Sequence, residues 1–198
     1  MANRHFGRIG NIWKHLPLAE ILLLERPRRY WESHAGSASY SLTSSTERNY
    51  GVYYFWEQSR SSSELVSCQY RQTLAHSAFR CDRSSRYPGS VQIAMEIFGK
   101  AAAYLLLDLD MDSVVSLRRA AADLQLVNVV SMQVDGVTEI GRAGGQLDTS
   151  EAEATFVLVD PFYPVGDTIR SVTPTELFCQ LANRGFKAMF WYGFDSSG

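Results

Sequence analysis

Three aspartates follow three apolar runs. Asp108 closes Ala103 to Leu107, Asp135 ends the run that starts at Val127 and precedes Gly136, and Asp160 follows Phe156 to Val159 and precedes Pro161, Phe162 and Tyr163. A fourth run, Arg28 to Ser33, opens onto His34, Ala35, Gly36, Ser37, Ala38, Ser39 and Tyr40, a loop of mostly small residues. One carboxylate can accept from two vicinal hydroxyls, and a loop without bulky side chains lets backbone approach a ligand. The set therefore suits a nucleoside, with Asp108 on the ribose hydroxyls and Asp135 accepting from the exocyclic amine of an adenine. A single aspartate after a strand ordinarily caps the next helix. Several in succession beside a small-residue loop fit a ligand such as S-adenosylmethionine (AdoMet).

Such residues act together only if the fold gathers the strand ends. The apolar residues Ile12, Leu16, Ala19, Leu22 and Leu23 recur at helical spacing, which predicts a helix over Asn11 to Leu24 with Pro17 in its first turn and Pro27 as its stop. Further helices are expected over Val91 to Phe98, Asp112 to Asp123 and Thr173 to Ala182, the last opened by Thr173 as N-cap with Glu176 three residues on. Strands are expected over 28–33, 103–108, 127–134, 156–159 and 188–192, and Tyr87-Pro88-Gly89-Ser90 reads as a turn. Residues 42–86, rich in Ser, Tyr, Arg and Gln, read as a polar helical insertion within a single domain over 1–198. Alternating strand and helix predicts an α/β fold with a mostly parallel sheet, whose ligands bind beyond the carboxyl ends of its strands.

Composition narrows the function classes. With 45% apolar and 20% charged residues the chain has the material for a packed core and is not a disordered one. The longest apolar run, Ala101 to Leu107, is far short of the roughly 18 residues that a membrane span needs, so no membrane partner is expected. Met1 to Lys14 lacks the apolar stretch of a secretory leader, which points to the cytoplasm. Cys68, Cys81 and Cys179 form no CxxC pair, so neither a disulfide framework nor a metal site is expected. A net charge of −2 gives no general attraction for nucleic acid, yet Arg4, Arg8, Lys14, Arg26, Arg28 and Arg29 face only Glu20 and Glu25 near the N-terminus. That basic stretch could meet a phosphate backbone, with Arg4 and Lys14 as contacts.

Several motifs in series carry a resemblance. They are Arg4-His5 followed by Gly10-Asn11 and Lys14-His15; Ser33 to Tyr40; Arg86-Tyr87-Pro88-Gly89-Ser90; Leu107-Asp108-Leu109; Val134-Asp135-Gly136; and Val157-Leu158-Val159-Asp160-Pro161-Phe162-Tyr163. In this order, over about residues 3–192, the chain resembles the bacterial 23S rRNA adenine N6-methyltransferases of the RlmJ type. The resemblance implies a Rossmann-like AdoMet-dependent methyltransferase fold with a small helical insertion. It also implies that His15, His34, Ser90, Asp108, Asp135 and Gly136 line the cofactor, and that Asp160 serves the target base as the catalytic residue. Phe162 or Tyr163 could stack on a base drawn out of its helix. Phe162 replaces the second proline of the family's Asp-Pro-Pro-Tyr motif, a change that leaves DNA, a small molecule, or AdoMet binding without catalysis as alternatives to RNA methylation. The expected edge strand at Ala188 to Tyr192 would need covering, for example by another subunit.

Overall fold

The computed structural model describes residues 6–43, 45–77, 86–162 and 172–192. In chain order the elements are α1 (Ile9–Glu25), β1 (Arg29–Glu32), β2 (Ser39–Ser41), α2 (Thr46–Arg48), α3 (Tyr54–Gln58), α4 (Ser63–Ser67), α5 (Gln69–His76), β3 (Arg86–Pro88), α6 (Ser90–Phe98), β4 (Ala103–Asp108), α7 (Met111–Asp123), β5 (Val129–Gln133), α8 (Gly136–Gly144), α9 (Thr149–Glu153), β6 (Thr155–Val159), α10 (Pro174–Asn183) and β7 (Lys187–Phe190). Their contacts form two units. A helical unit comprises Met1–Arg26 with Gly36–Gly99, and a sheet unit comprises Pro27–Ala35 with Lys100–Gly198.

In the helical unit α1 starts two residues before its apolar spacing suggested, because Arg8 and Asn11 close its first turn, the Arg8 amide donating to Asn11 Oδ1 at 3.2 Å. Pro17 consequently lies in mid-helix rather than in the first turn, and its ring removes one intrahelical donor. The helix continues through it because Leu18, Ala19 and Leu22 are all fully buried. Residues 42–86 include α2 to α5, but they do not pack on themselves alone. Leu42, Val52, Phe55, Tyr70 and Leu74 share one core with Ile12 and Ala19 of α1 and Ile93 of α6. Tyr87 joins that core from β3, which pairs antiparallel with β2, so the stretch read as a turn is a strand up to Pro88 and turns only at Gly89.

The sheet unit has five strands in the order β5-β4-β1-β6-β7, every neighbouring pair parallel. It is an α/β fold with a parallel sheet flanked by helices, compatible with the Rossmann-like architecture. Helix α7 lies against β4 and β5, α9 against β6, and α10 against β7 and α8. One face of the sheet presents Trp31, Leu107, Val157 and Val159 to Val137, Ile140, Leu177 and Leu181. The alternation of strand side chains puts Tyr30, Tyr104 and Phe156 on the opposite face, where Tyr30 stacks on Phe156 at 6.1 Å between centroids. The chain visits β4 and β5 on one side of β1 and β6 and β7 on the other, so the direction of winding reverses at β1, the position at which parallel sheets of this kind take ligands beyond their carboxyl ends. No helix among the described residues is long and apolar enough to cross a membrane.

Candidate functional site

Hydrogen bonds past the formal strand ends tie the carboxyl edge of the sheet together. The Ser33 amide donates to the Leu158 carbonyl at 3.1 Å, the Ala35 amide to the Leu107 carbonyl at 2.9 Å, and the Val134 amide to the Asp108 carbonyl at 3.1 Å. The turn after β5 reaches across to the loop after β1. A Cβ placed on Gly136 would lie 1.8 Å from the Ser33 carbonyl oxygen, so only glycine allows that approach. The loop carrying Ser33 and His34, the end of β4 with Asp108 and the turn with Asp135 and Gly136 are thereby gathered at one place, with Asp160 after β6 on the far side of β1. Glycine to alanine inside a helix usually stabilises by up to about 1 kcal/mol. At Gly136 we expect the reverse, a loss of about 1–3 kcal/mol in Gly136→Ala by chemical denaturation, because the obstacle is backbone and no rotamer relieves it.

The three aspartates differ in what they do locally. Asp108 is half-buried and accepts from the Asp110 amide at 2.8 Å, while the cap of α7 falls to Asp110, which accepts from the Ser113 amide at 3.2 Å and the Ser113 hydroxyl at 3.0 Å. Asp108 is thus not the N-cap. Asp135 is one, its Oδ1 accepting from the Thr138 amide at 2.8 Å, and a carboxylate with about four acceptor sites can cap a helix and bind a ligand as well. Asp160 caps no helix among the described residues, since Thr173 opens α10 in a capping box with Glu176. His34 is half-buried, with Nδ1 2.8 Å from the Ser33 hydroxyl.

Sequence reasoning passed over Glu32. It is fully buried at the end of the central strand β1, and the Tyr30 hydroxyl donates to its Oε2 at 2.6 Å. Burial first, then the Glu32 carboxylate and then Asp160 hold the Tyr30 phenol well above its usual range, so Tyr30 stays a donor and Asp160 lies within electrostatic reach of the pair. The signal was available as an acid within the apolar stretch Tyr30-Trp31-Glu32, immediately before the small-residue loop.

His15 and Ser90 belong to the helical unit. Ser90 is buried as the first residue of α6, just after Gly89, where a Cβ would lie 2.6 Å from the Ser37 carbonyl. His15 is buried, with Nδ1 2.9 Å from the Tyr87 hydroxyl, itself 3.1 Å from that of Tyr70. Its Nε2 has no hydrogen-bond partner among the described residues. Burial, and secondarily Lys14, push the imidazole well below its ordinary pKa, so it is neutral in the folded chain. The unfolded chain therefore takes up this proton first, near pH 6.5, and the folded one only at lower pH. Stability should fall as pH drops below about 6.5, by at most about 1.4 kcal/mol per pH unit from this group, and His15→Gln should flatten that part of the pH–stability curve measured by denaturant titration. Lys14, expected to meet RNA, is only 8% exposed, whereas Phe162 is 75% exposed. Arg4 and Tyr163 lie outside the described residues.

Electrostatics separate the two units. The 19 basic and 21 acidic residues divide as ten and seven in the helical unit and nine and fourteen in the sheet unit, a net +3 against −5. Within the sheet unit the carboxyl edge carries Glu32, Asp108, Asp110, Asp135 and Asp160. Dinucleotide-binding folds seat a pyrophosphate on the helix that follows β1 directly. Here β1 leads through Ala35 into the helical unit, and the first helix of the sheet unit after β1 is α7, which follows β4. Among the described residues no group of three or more His, Cys, Asp or Glu side chains is arranged to hold a metal ion.

No family model matches the sequence, and no curated protein does. Solved structures do match. The crystal structure of protein LPL1258 from Legionella pneumophila strain Philadelphia 1, described under the family model DUF519, superposes with a TM-score of 0.68 over 95% of this chain and 68% of its own, at 21% sequence identity. At that identity the likeness is one of fold.

Proposed function

We propose that the chain is an AdoMet-dependent methyltransferase acting on the N6 amine of an adenine in RNA, 23S rRNA being the substrate that the sequence motifs imply, and that it works in the cytoplasm. The observation that carries the reading is the carboxylate-lined edge of a parallel sheet without a phosphate-binding helix after β1. Such an edge repels a pyrophosphate and suits a ligand whose sulfonium and ammonium outweigh its single carboxylate. Asp108, not needed as a cap, accepts from the ribose hydroxyls, and Asp135 accepts from the adenine amine while capping α8. Gly136 lets the turn after β5 close on the Ser33 carbonyl, and His34 closes the cofactor side from the loop after β1.

AdoMet supplies the methyl group as an electrophile bonded to a positive sulfur. The chain's own residues prepare the acceptor. An adenine N6 lone pair is delocalised into the ring, and Asp160, accepting one N–H, turns the amine so that this lone pair can point at the methyl carbon. As the N–C bond forms and the C–S bond breaks, the amine gives up one proton, which Asp160 can accept and pass to water. Phe162, which is exposed, or Tyr163 offers a π-face for a base drawn from its stack. Calorimetric titration tests the cofactor half of this reading: AdoMet and S-adenosylhomocysteine should bind and NAD should not. A folded sample that gives no heat with millimolar AdoMet contradicts it.

A further inference from the structure

The exposed aromatic side chains of the helical unit gather around the start of α1. Trp13 is 68% exposed and Tyr50 73%, with Tyr54 and Ile9 also more than half exposed. They belong to segments that touch. The turn at Asn49–Tyr53 sits on the start of α1, the Val52 amide donates to the Gly7 carbonyl at 3.0 Å, and a Cβ on Gly51 would lie 2.2 Å from that same oxygen. Gly51, in a non-helical conformation inside the turn, thus brings Tyr50 beside the first turn of α1, with Trp13 one turn on from Ile9. Single exposed apolar residues need no explanation, but three aromatic rings on α1, the turn that touches it and the helix α3 that continues from that turn are a patch.

Guanidinium groups border it. Arg48 lies over the Phe6 ring at 4.3 Å, with its Nε donating to the Phe6 carbonyl at 3.2 Å and its Nη1 to the Thr43 carbonyl at 2.6 Å. Arg8 pairs with Glu47 at 2.7 Å, half-exposed. These contacts hold Arg48, two residues before Tyr50, against Phe6, and Arg8, at the start of α1, against Glu47. Apolar rings alone would suit a protein partner equally well, but the net +3 of this unit, set against −5 in the sheet unit, favours a polyanion. Exposed aromatic faces with arginines on the same segments match single-stranded nucleic acid, whose bases stack and whose phosphates take the positive charge.

We infer that Trp13 and Tyr50, flanked by Tyr54 and Arg48, form a stacking platform on the helical unit that holds unpaired RNA nucleotides. This inference rests on the RNA reading above and names the surface that would hold the substrate. It gives the helical unit a docking role separate from the carboxylates of the sheet unit. It also moves the expected RNA contact from Lys14, which is buried, to its neighbour Trp13.

The test uses the full chain and a fluorescently labelled, unstructured RNA of about a dozen adenine-rich nucleotides, followed by anisotropy, with AdoMet affinity measured in parallel by calorimetry. Trp13→Ala and Tyr50→Ala replace exposed side chains and should leave the fold, monitored by circular dichroism, intact. Each should weaken RNA binding by roughly five- to 150-fold, the range for losing one stacked base, and leave AdoMet affinity unchanged. RNA affinity within twofold of wild type in the double variant overturns the platform, as does a wild-type chain that does not bind the RNA; in either case AdoMet binding leaves the methyltransferase reading standing. A wild-type chain that binds no AdoMet removes that reading by itself. If sedimentation shows a dimer that the variants lose, the patch belongs to a second copy and the inference is wrong.

Discussion

Asp160→Asn should lower methyl transfer by about 10²- to 10⁴-fold while leaving the fold and AdoMet affinity as they are. Asparagine nearly matches aspartate in size and caps helices as well, so a loop or capping role would survive the exchange. An accepting role would not. The asparagine amide presents one carbonyl and an NH₂ whose hydrogens oppose those of the N6 amine, and it cannot take up a proton. Asp160 caps no described helix and follows β6, the neighbour of β1, within electrostatic reach of Tyr30. Single-turnover kinetics under saturating AdoMet separate the effect from binding. Phe162→Pro, which restores the family motif, should keep or raise the rate, since Phe162 is exposed and its loss uncovers no core. Wild-type turnover in Asp160→Asn removes the role given to this carboxylate.

The second large effect is expected on affinity. Asp108→Ala should weaken AdoMet by roughly ten- to hundredfold, the equivalent of about 1.5–3 kcal/mol for the lost charge-assisted bonds to two ribose hydroxyls. The neighbouring acid provides the contrast. Asp110 holds the first turn of α7, so Asp110→Ala should cost about 1 kcal/mol of stability and change AdoMet affinity little. Calorimetry and denaturation on the two variants should give opposite patterns. If Asp108→Ala binds AdoMet like the wild type, the ribose contact is not there.

The parts of the fold legible in the sequence are those fixed by residues close together in it. Thr173 and Glu176 form the expected capping box because an N-cap and its N3 partner interact across one turn. The apolar runs before Asp108 and Asp160 are strands because the signal of a buried parallel strand lies within five or six residues. Pairings over long separations were hidden. Nothing in Ser39–Ser41 announces Arg86–Pro88 as its partner, and residues 42–86 could not show that they share a core with α1 and α6. Helix α8 was missed because Gly136, Gly141 and Gly144 lower its propensity, while Val137 and Ile140 hold it against the sheet through contacts only the fold supplies. At the candidate site Asp108 and Asp135 were visible as acids after strands, but only the structure assigns the cap of α7 to Asp110 and shows that Glu32 is buried with Tyr30 as donor.

Methyl transfer to RNA tests the central claim most directly. The full chain is incubated with AdoMet labelled in its methyl group and with protein-free 23S rRNA, total DNA and a small-molecule extract in separate reactions; labelled RNA is then digested to nucleosides and resolved by chromatography. The account predicts label in the RNA, migrating as N6-methyladenosine and absent when Asp160 is Asn. Label on DNA or a small molecule, on another position of RNA, or on no acceptor at all contradicts it.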